Sequence, residues 1–167
     1  NIWVTTPEFG VVDPEVLRGL DTFTRELERA PAVGSVVGLP SILRLRRYLA
    51  GLGDGLPSDP ATFDRLAADL EQLLLTEESI ARWVDLGSLS STYLTVTSAA
   101  GTGDGMDDLT ASIATAWTAV AATEPALAGC SYQLAGSGVL QASIAGNLVP
   151  TLVESFAITF SIIFVTF

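Results

Sequence analysis

The sequence predicts an α+β fold that runs into the start of a membrane helix, and three observations predict it. Four short stretches, 1–6, 33–39, 90–99 and 130–134, alternate apolar with polar residues or are rich in β-branched and aromatic ones, as strands are. Between them lie longer stretches whose apolar residues recur every three or four positions, the spacing of one helix face. The last twenty residues, LVPTLVESFAITFSIIFVTF from Leu148 to Phe167, carry one charge, Glu154.

The first stretch, NIWVTT, sets Ile2 and Val4 against Trp3 and Thr5, so it reads as a strand with two distinct faces. Asp13-Pro14-Glu15 then supplies an N-cap, a proline at the first helical position and an acid in the first turn. Val16, Leu17, Leu20, Phe23 and Leu27 follow at helical spacing, leaving Arg18, Asp21, Arg25 and Glu28 for solvent. Pro31 and Gly34 bracket the exit into a second strand, Val33 to Leu39.

Pro40-Ser41 opens a helix through about Leu52, with Ile42, Leu45 and Leu49 inward and Arg44, Arg46 and Arg47 as the basic cluster of the chain. Those arginines read either as an anion or lipid-headgroup site or as a solvated face that pairs with nearby acids. After the loop GLGDGLP, Asp59-Pro60 repeats the cap-plus-proline start. Phe63, Leu66, Leu70, Leu73 and Leu74 mark an amphipathic helix, and Thr76 is placed to cap a further turn holding Ile80, Trp83 and Val84.

The third strand, SSTYLTVTSA, leads through GTGDG into a helix marked by Met106, Leu109, Ile113, Trp117 and Val120, with Asp107 and Asp108 in its first turn. Pro125 and Gly129 end it. Cys130, Tyr132 and Leu134 alternate as a fourth strand, and Val139, Leu140, Ile144 and Leu148 carry a last helix into the tail, with Pro150 at the join. Two β-α-β units separated by a helical insertion form the split arrangement called ferredoxin-like: a four-stranded antiparallel sheet with helices on one face.

A hydrocarbon core takes about 20 mostly apolar residues to cross as a helix, because lipid offers no partners to the backbone. The run from Phe156 is apolar all round and has no Gly, Lys or Arg to stop it, which favours a membrane helix over a C-terminal helix buried in a globular core. Asn1 opens the strand without a lead-in, so the sequence reads as a piece of a larger protein. Hydrophobic residues are 49% of the 167, and mean hydropathy is +0.45, high until the tail is set aside.

Eight Arg, no Lys and nineteen acids give −11, a surface that repels nucleic-acid phosphates. With no His and a lone Cys130, most transition-metal sites and every Ser–His or Cys–His nucleophile pair are excluded. GTGDG with Asp104, Asp107 and Asp108 lacks the twelve-residue calcium-loop pattern, and no Gly-Lys-Ser/Thr follows it to hold a phosphate. Glu77 and Glu78 stand at a helix start, where acids suit the dipole. Cys130 reads as a small hydrophobe, and Trp83 and Trp117 as core or interface anchors. Glu154 reads as snorkelling to the headgroup level or as an ionisable group at membrane depth. The residues therefore give no catalytic, cofactor-binding or metal site.

Several strings, in this order, resemble an extracytoplasmic porter domain of the RND superfamily, in the branch of exporters that includes MMPL-type and hopanoid-transporter-like proteins. They are Val12-Asp13-Pro14-Glu15-Val16-Leu17, Val33-Gly34-Ser35-Val36-Val37, Ala81-Arg82-Trp83-Val84, Leu134-Ala135-Gly136 before Val139-Leu140, and Ile144-Ala145-Gly146-Asn147-Leu148-Val149 running into the tail with Ser155. Family members often show Thr-Gly where this chain has Ala135-Gly136.

The resemblance implies a porter domain over 1–147, with its helical insertion at about 40–88, and the beginning of a transmembrane helix over 148–167. It implies a fragment of a proton-driven exporter of lipids or other hydrophobic compounds, in the cell membrane with this domain on the extracytoplasmic side. Its implied partners are the rest of the same transporter chain with a second porter domain, the lipid bilayer and a hydrophobic or lipid substrate. The family's proton-relay acids sit in membrane helices outside this sequence, so no relay residue carries over. The alternative is a non-transporting binding or sensor domain tethered by a membrane helix; an enzyme is disfavoured by the missing acid-base and nucleophile sets. The Leu and Phe stripes of the helices starting near Asp13, Ser41, Asp59 and Met106 predict an apolar cleft on the substrate path.

Overall fold

The computed structural model describes residues 1–99 and 105–166, and the GTGDG loop up to Asp104 lies outside them. The order is β1 (Ile2–Thr5), a 3-10 turn (Gly10–Val12), α1 (Pro14–Arg29), β2 (Val33–Val37), α2 (Leu39–Leu49), α3 (Pro60–Thr76) and α4 (Glu78–Ala81). Then come β3 (Ser91–Ser98), α5 (Gly105–Thr123), a second 3-10 turn (Pro125–Gly129), β4 (Ser131–Leu134) and α6 (Ser137–Thr166). The protein is α+β, and the chain divides into two compact units, Asn1–Leu134 and Ala135–Phe167.

In the first unit the four strands form one sheet in the order β2-β3-β1-β4, with every pairing antiparallel. The long strand β3 is shared lengthwise: its first half, Ser91–Leu94, pairs with β1, and its second half, Thr95–Ser98, pairs with β2. Ile2 and Val4 are buried on one face of β1 while Trp3 and Thr5 are exposed on the other, as the alternation requires.

That buried face meets α1 and α5. Val16, Leu20, Phe23 and Leu27 of α1 and Leu109, Ile113 and Val120 of α5 close over Ile2, Val4, Val36 and Leu94. The Phe23 ring sits edge-on to Trp117 at 5.1 Å. A second core forms in the helical insertion, where Leu39 and Leu43 of α2, Phe63, Leu70 and Leu74 of α3, and Ile80, Trp83 and Val84 gather around Leu17. Asp13 caps α1 by accepting from the N–H groups of Glu15 and Val16, and Asp59 caps α3 through Thr62 N–H, so both cap-plus-proline starts hold.

Three expectations are corrected. Leu39, Pro40 and Leu43 are the buried side of α2, while Leu45 and Leu49 are 56% and 75% exposed and Ile42 is half-buried. The helix carries two apolar stripes, and the register is set where Gly38 approaches Leu94 so closely that a Cβ would clash. Asp21 is not solvated but 8% exposed, because it faces α2. Thr76 caps nothing ahead of it: its hydroxyl donates back to the Gln72 carbonyl, and Glu77 takes the N-cap position of α4.

The second unit is α6, one helix with Pro150 inside it. Among the described residues no helix is long and apolar enough to cross a membrane. The first half of α6 carries Gln141, Ser143, Gly146 and Asn147, and the apolar part after Pro150 falls short of the about 20 residues a crossing takes. The large side chains from Phe156 to Val165 are 49–89% exposed, so none of them is shielded in a core.

Gly19 lies in α1 where a Cβ would come 2.8 Å from Leu127 Cγ, and Leu127 is itself fully buried. Gly19→Ala is expected to lose about 1–2 kcal/mol net, overpacking outweighing the gain in helix propensity. Urea unfolding checks this as a lower midpoint with an unchanged slope.

Candidate functional site

A cleft of about 620 Å³ lies between the end of α1 and one side of α5 from Gly105 to Ala119. Alpha1 stops at Arg29 with Ala30 as its cap, and Pro31 prevents its continuation, so the chain turns away and leaves Glu26, Arg29, Ala30, Pro31 and Ala32 as one wall. The facing wall is Gly105, Asp108, Ala111, Ser112, Thr115, Ala116 and Ala119. Those side chains are too short to reach across to α1, so the two helices touch deep down, at Phe23 and Trp117, and stay apart above.

The walls are methyls and hydroxyls, with charge at the rim. Arg29 Nη1 donates to Glu26 Oε2 at 2.9 Å, so that pair is self-neutralised, while Asp108 on the opposite wall is exposed. Thr115 Oγ1 donates to the Ala111 carbonyl at 2.8 Å, bonding back into its own helix. The volume lies within the about 300–1,000 Å³ of ligand pockets, and the lining suits a slim apolar body with a polar end.

The expected apolar cleft of Leu and Phe stripes is corrected here. The stripes of α1, α3 and α5 pack into the two cores, with Leu66, Leu73, Met106 and Trp117 partly buried at their margins, and the groove is lined by small residues of α5 instead. The signal for it was in the sequence as the run TASIATAW, in which no side chain on the outer side of α5 is larger than threonine.

The three arginines of α2 are each engaged within the protein. Arg44 grips Glu28 through two hydrogen bonds of 2.7 and 3.1 Å, Arg46 pairs with Glu77 at 2.7 Å, and Arg47 donates to the carbonyls of Gly55 and Leu52. They form no free anion site. Glu77 is thereby a structural partner, and Glu78 stands in the first turn of α4. The Cys130 thiol, half-buried just before β4, donates weakly to the Ala126 carbonyl, and burial with the nearby Asp13 charge pushes its pKa up, away from nucleophilic thiolate. Among the described residues no three His, Cys, Asp or Glu side chains are grouped to hold a metal. Glu154 is an exposed residue of α6.

A cluster of charged side chains joins α1 to α2. Arg25 Nε donates to Asp21 Oδ2 at 2.9 Å, and Arg44 Nε faces Asp21 Oδ1 at 3.4 Å, too long for a good hydrogen bond. Burial raises the Asp21 pKa, the pull of Arg25 and Arg44 offsetting only part of that, and Glu28 adds repulsion. Burial works against the charge of Arg44 too, but the hydrogen bonds to Glu28 and the two acids outweigh it, so its proton is held more firmly.

With this geometry in hand, comparison with protein-family models, curated proteins and solved structures finds no match to the chain.

A raised folded-state pKa means that the native state binds the Asp21 proton more tightly than the unfolded chain does. Its contribution is therefore fully present below the ordinary carboxylate value of about 4 and is lost as pH rises through the folded value. Asp21→Asn removes the titration, so urea unfolding of the two proteins from pH 7 down to 4 is expected to show the native chain gaining stability relative to the variant. A constant difference across that range would contradict it.

Proposed function

We propose that this chain is an extracytoplasmic porter-type domain of a proton-driven RND-type exporter of lipids or other hydrophobic compounds, with α6 as the beginning of a membrane helix. The observation that carries the reading is the sheet order β2-β3-β1-β4, all antiparallel, with β1-α1-β2 and β3-α5-β4 as its two units. That order is what a ferredoxin-like split β-α-β domain requires, and the insertion of α2 to α4 between the units agrees with the resembled architecture. The outward apolar side chains of α6 after Pro150 add support, since hydrocarbon is the solvent that suits Phe156, Phe160 and Ile163.

On this reading the cleft between α1 and α5 lies on the substrate path. Its small-residue walls suit a hydrocarbon body, and Asp108 and the Glu26–Arg29 pair suit a polar head. Energy is supplied by relay acids elsewhere in the longer protein, with the second porter domain as partner. The packing of most of the leucine stripes into the second core is the observation that favours the alternative, a tethered domain that binds without transporting.

The test uses the full-length gene expressed in cells. Ser79→Cys, at an exposed position in α4, is introduced after Cys130→Ser, and intact cells are treated with a membrane-impermeant maleimide. Labelling from outside together with protonophore-sensitive export of a hydrophobic dye is the expected result. Labelling only after lysis refutes the extracytoplasmic placement, and outside labelling without export leaves the tethered domain as the function.

A further inference from the structure

Four large apolar side chains stand outward in one row on α2 and the turn that follows it. Leu45, Tyr48, Leu49 and Leu52 are each more than half exposed, and their spacing of three, one and three residues is that of a seam by which one helix packs on another. Of the nine large apolar side chains exposed among the described residues of the first unit, these are four, so the exposure is gathered rather than scattered. The row presents on the order of 400–500 Å², the size at which an apolar patch marks an interaction site.

The fold fixes this row in place. Gly51 ends α2 in the left-handed region, at φ 72°, and the Leu52 N–H returns to the Arg47 carbonyl at 2.9 Å. The Arg47 guanidinium donates to the Leu52 carbonyl at 2.9 Å and to the Gly55 carbonyl at 2.8 Å, so Leu52 is tied to the helix at both its N–H and its C=O. A side chain displayed from a backbone so held loses little freedom on contact. Charge along the row cancels. On one side Arg44 takes Glu28 of α1, on the other Arg46 takes Glu77 at the end of α3, and Arg47 stands by the loop that carries Asp54. Three arginines against three acids leave this face neutral, and the −11 of the chain lies elsewhere.

We propose that this face binds a second copy of the chain, row against row about a two-fold axis. Two chains of charge −11 repel wherever their acidic surfaces meet, and here they approach without that cost. A two-fold contact brings each rim against its own kind, so the arginines of each copy face the acids of the other and ion pairs are exchanged rather than broken. With the rims included the face offers on the order of 700 Å² per copy, near the about 800 Å² that a standard interface takes from each partner. An anionic bilayer would meet Glu28, Asp54 and Glu77 along with the arginines, and a strongly charged protein would leave half of the rim unmatched. The contact belongs to the first unit and does not rest on the exporter reading.

The test is sedimentation equilibrium of the 167-residue chain in a density-matched detergent, over a concentration series at low and at high salt. A reversible dimer is expected, and because net charge opposes it, raising the salt tightens it. Leu49→Glu, at the most exposed position of the row, should weaken association about tenfold or more while leaving the far-ultraviolet dichroism unchanged, which separates lost contact from lost folding. Arg46→Glu, which turns one rim acidic, should weaken it too, and adding Glu77→Arg should restore it. A monomer at every concentration, or association that Leu49→Glu leaves intact, overturns the proposal. So does association that weakens as salt rises, which would make charge pairing rather than the apolar row its source.

Discussion

Helix α1 must be buried on two sides at once, and the rest of the fold is arranged around that demand. Val16, Leu20, Phe23 and Leu27 face the sheet and α5, while Leu17, turned the other way, enters the core of the helical insertion. A helix so enclosed has little room for ordinary side chains, which is why Gly19 sits against Leu127 and why Thr24, fully buried, donates its hydroxyl back to the Leu20 carbonyl. The sheet fixes α1, and α1 in turn fixes where α2, α3 and α5 pack.

Asp21 is the polar consequence of the same enclosure. Removing a carboxylate from water costs free energy that a 2.9 Å contact to Arg25 and a 3.4 Å approach to Arg44 return only in part, and its raised pKa records the deficit. An apolar residue of similar size would serve the packing as well. The charge selects geometry instead: Arg44 reaches Asp21 and Glu28 together from one rotation of α2, so the stripe of Leu39 and Leu43 faces inward and that of Leu45 and Leu49 does not.

The parts of the fold legible in sequence were those decided locally. Asp13-Pro14 and Asp59-Pro60 start helices wherever they occur, since an acceptor and a fixed φ need no distant partner. The alternation of Ile2 and Val4 with Trp3 likewise separates two faces without a third element. The phase of α2 was not legible because LPSILRLRRYL holds two apolar stripes, and only Gly38 against Leu94 and Arg44 against Asp21 choose between them. Thr76 was ambiguous for a similar reason, since its hydroxyl competes between capping forward and bonding back. Of the candidate site, the small residues of α5 were visible, but their opposition to Pro31 and Ala32 depends on the sheet. Trp3, Trp83 and Tyr93 become a row only once β1 and the chain at Trp83 flank β3.

The two faces of the sheet solve different problems with the same four strands. On the helical side, large side chains fill the space under α1 and α5, and Phe23 with Trp117 holds the helices together at depth. Above that contact α5 offers Gly105, the exposed Asp108 and otherwise Ala, Ser and Thr, so packing cannot close the gap; the cleft exists because the core ends. On the opposite face Trp3 and Thr5 are exposed, and those positions are aromatic or hydroxylated rather than charged. The parallel rings of Trp3 and Tyr93, with Tyr93 stacked in turn on Trp83, tie β1 and β3 to the chain at the edge of the second core, so this face is held by ring contacts where the other is held by helices.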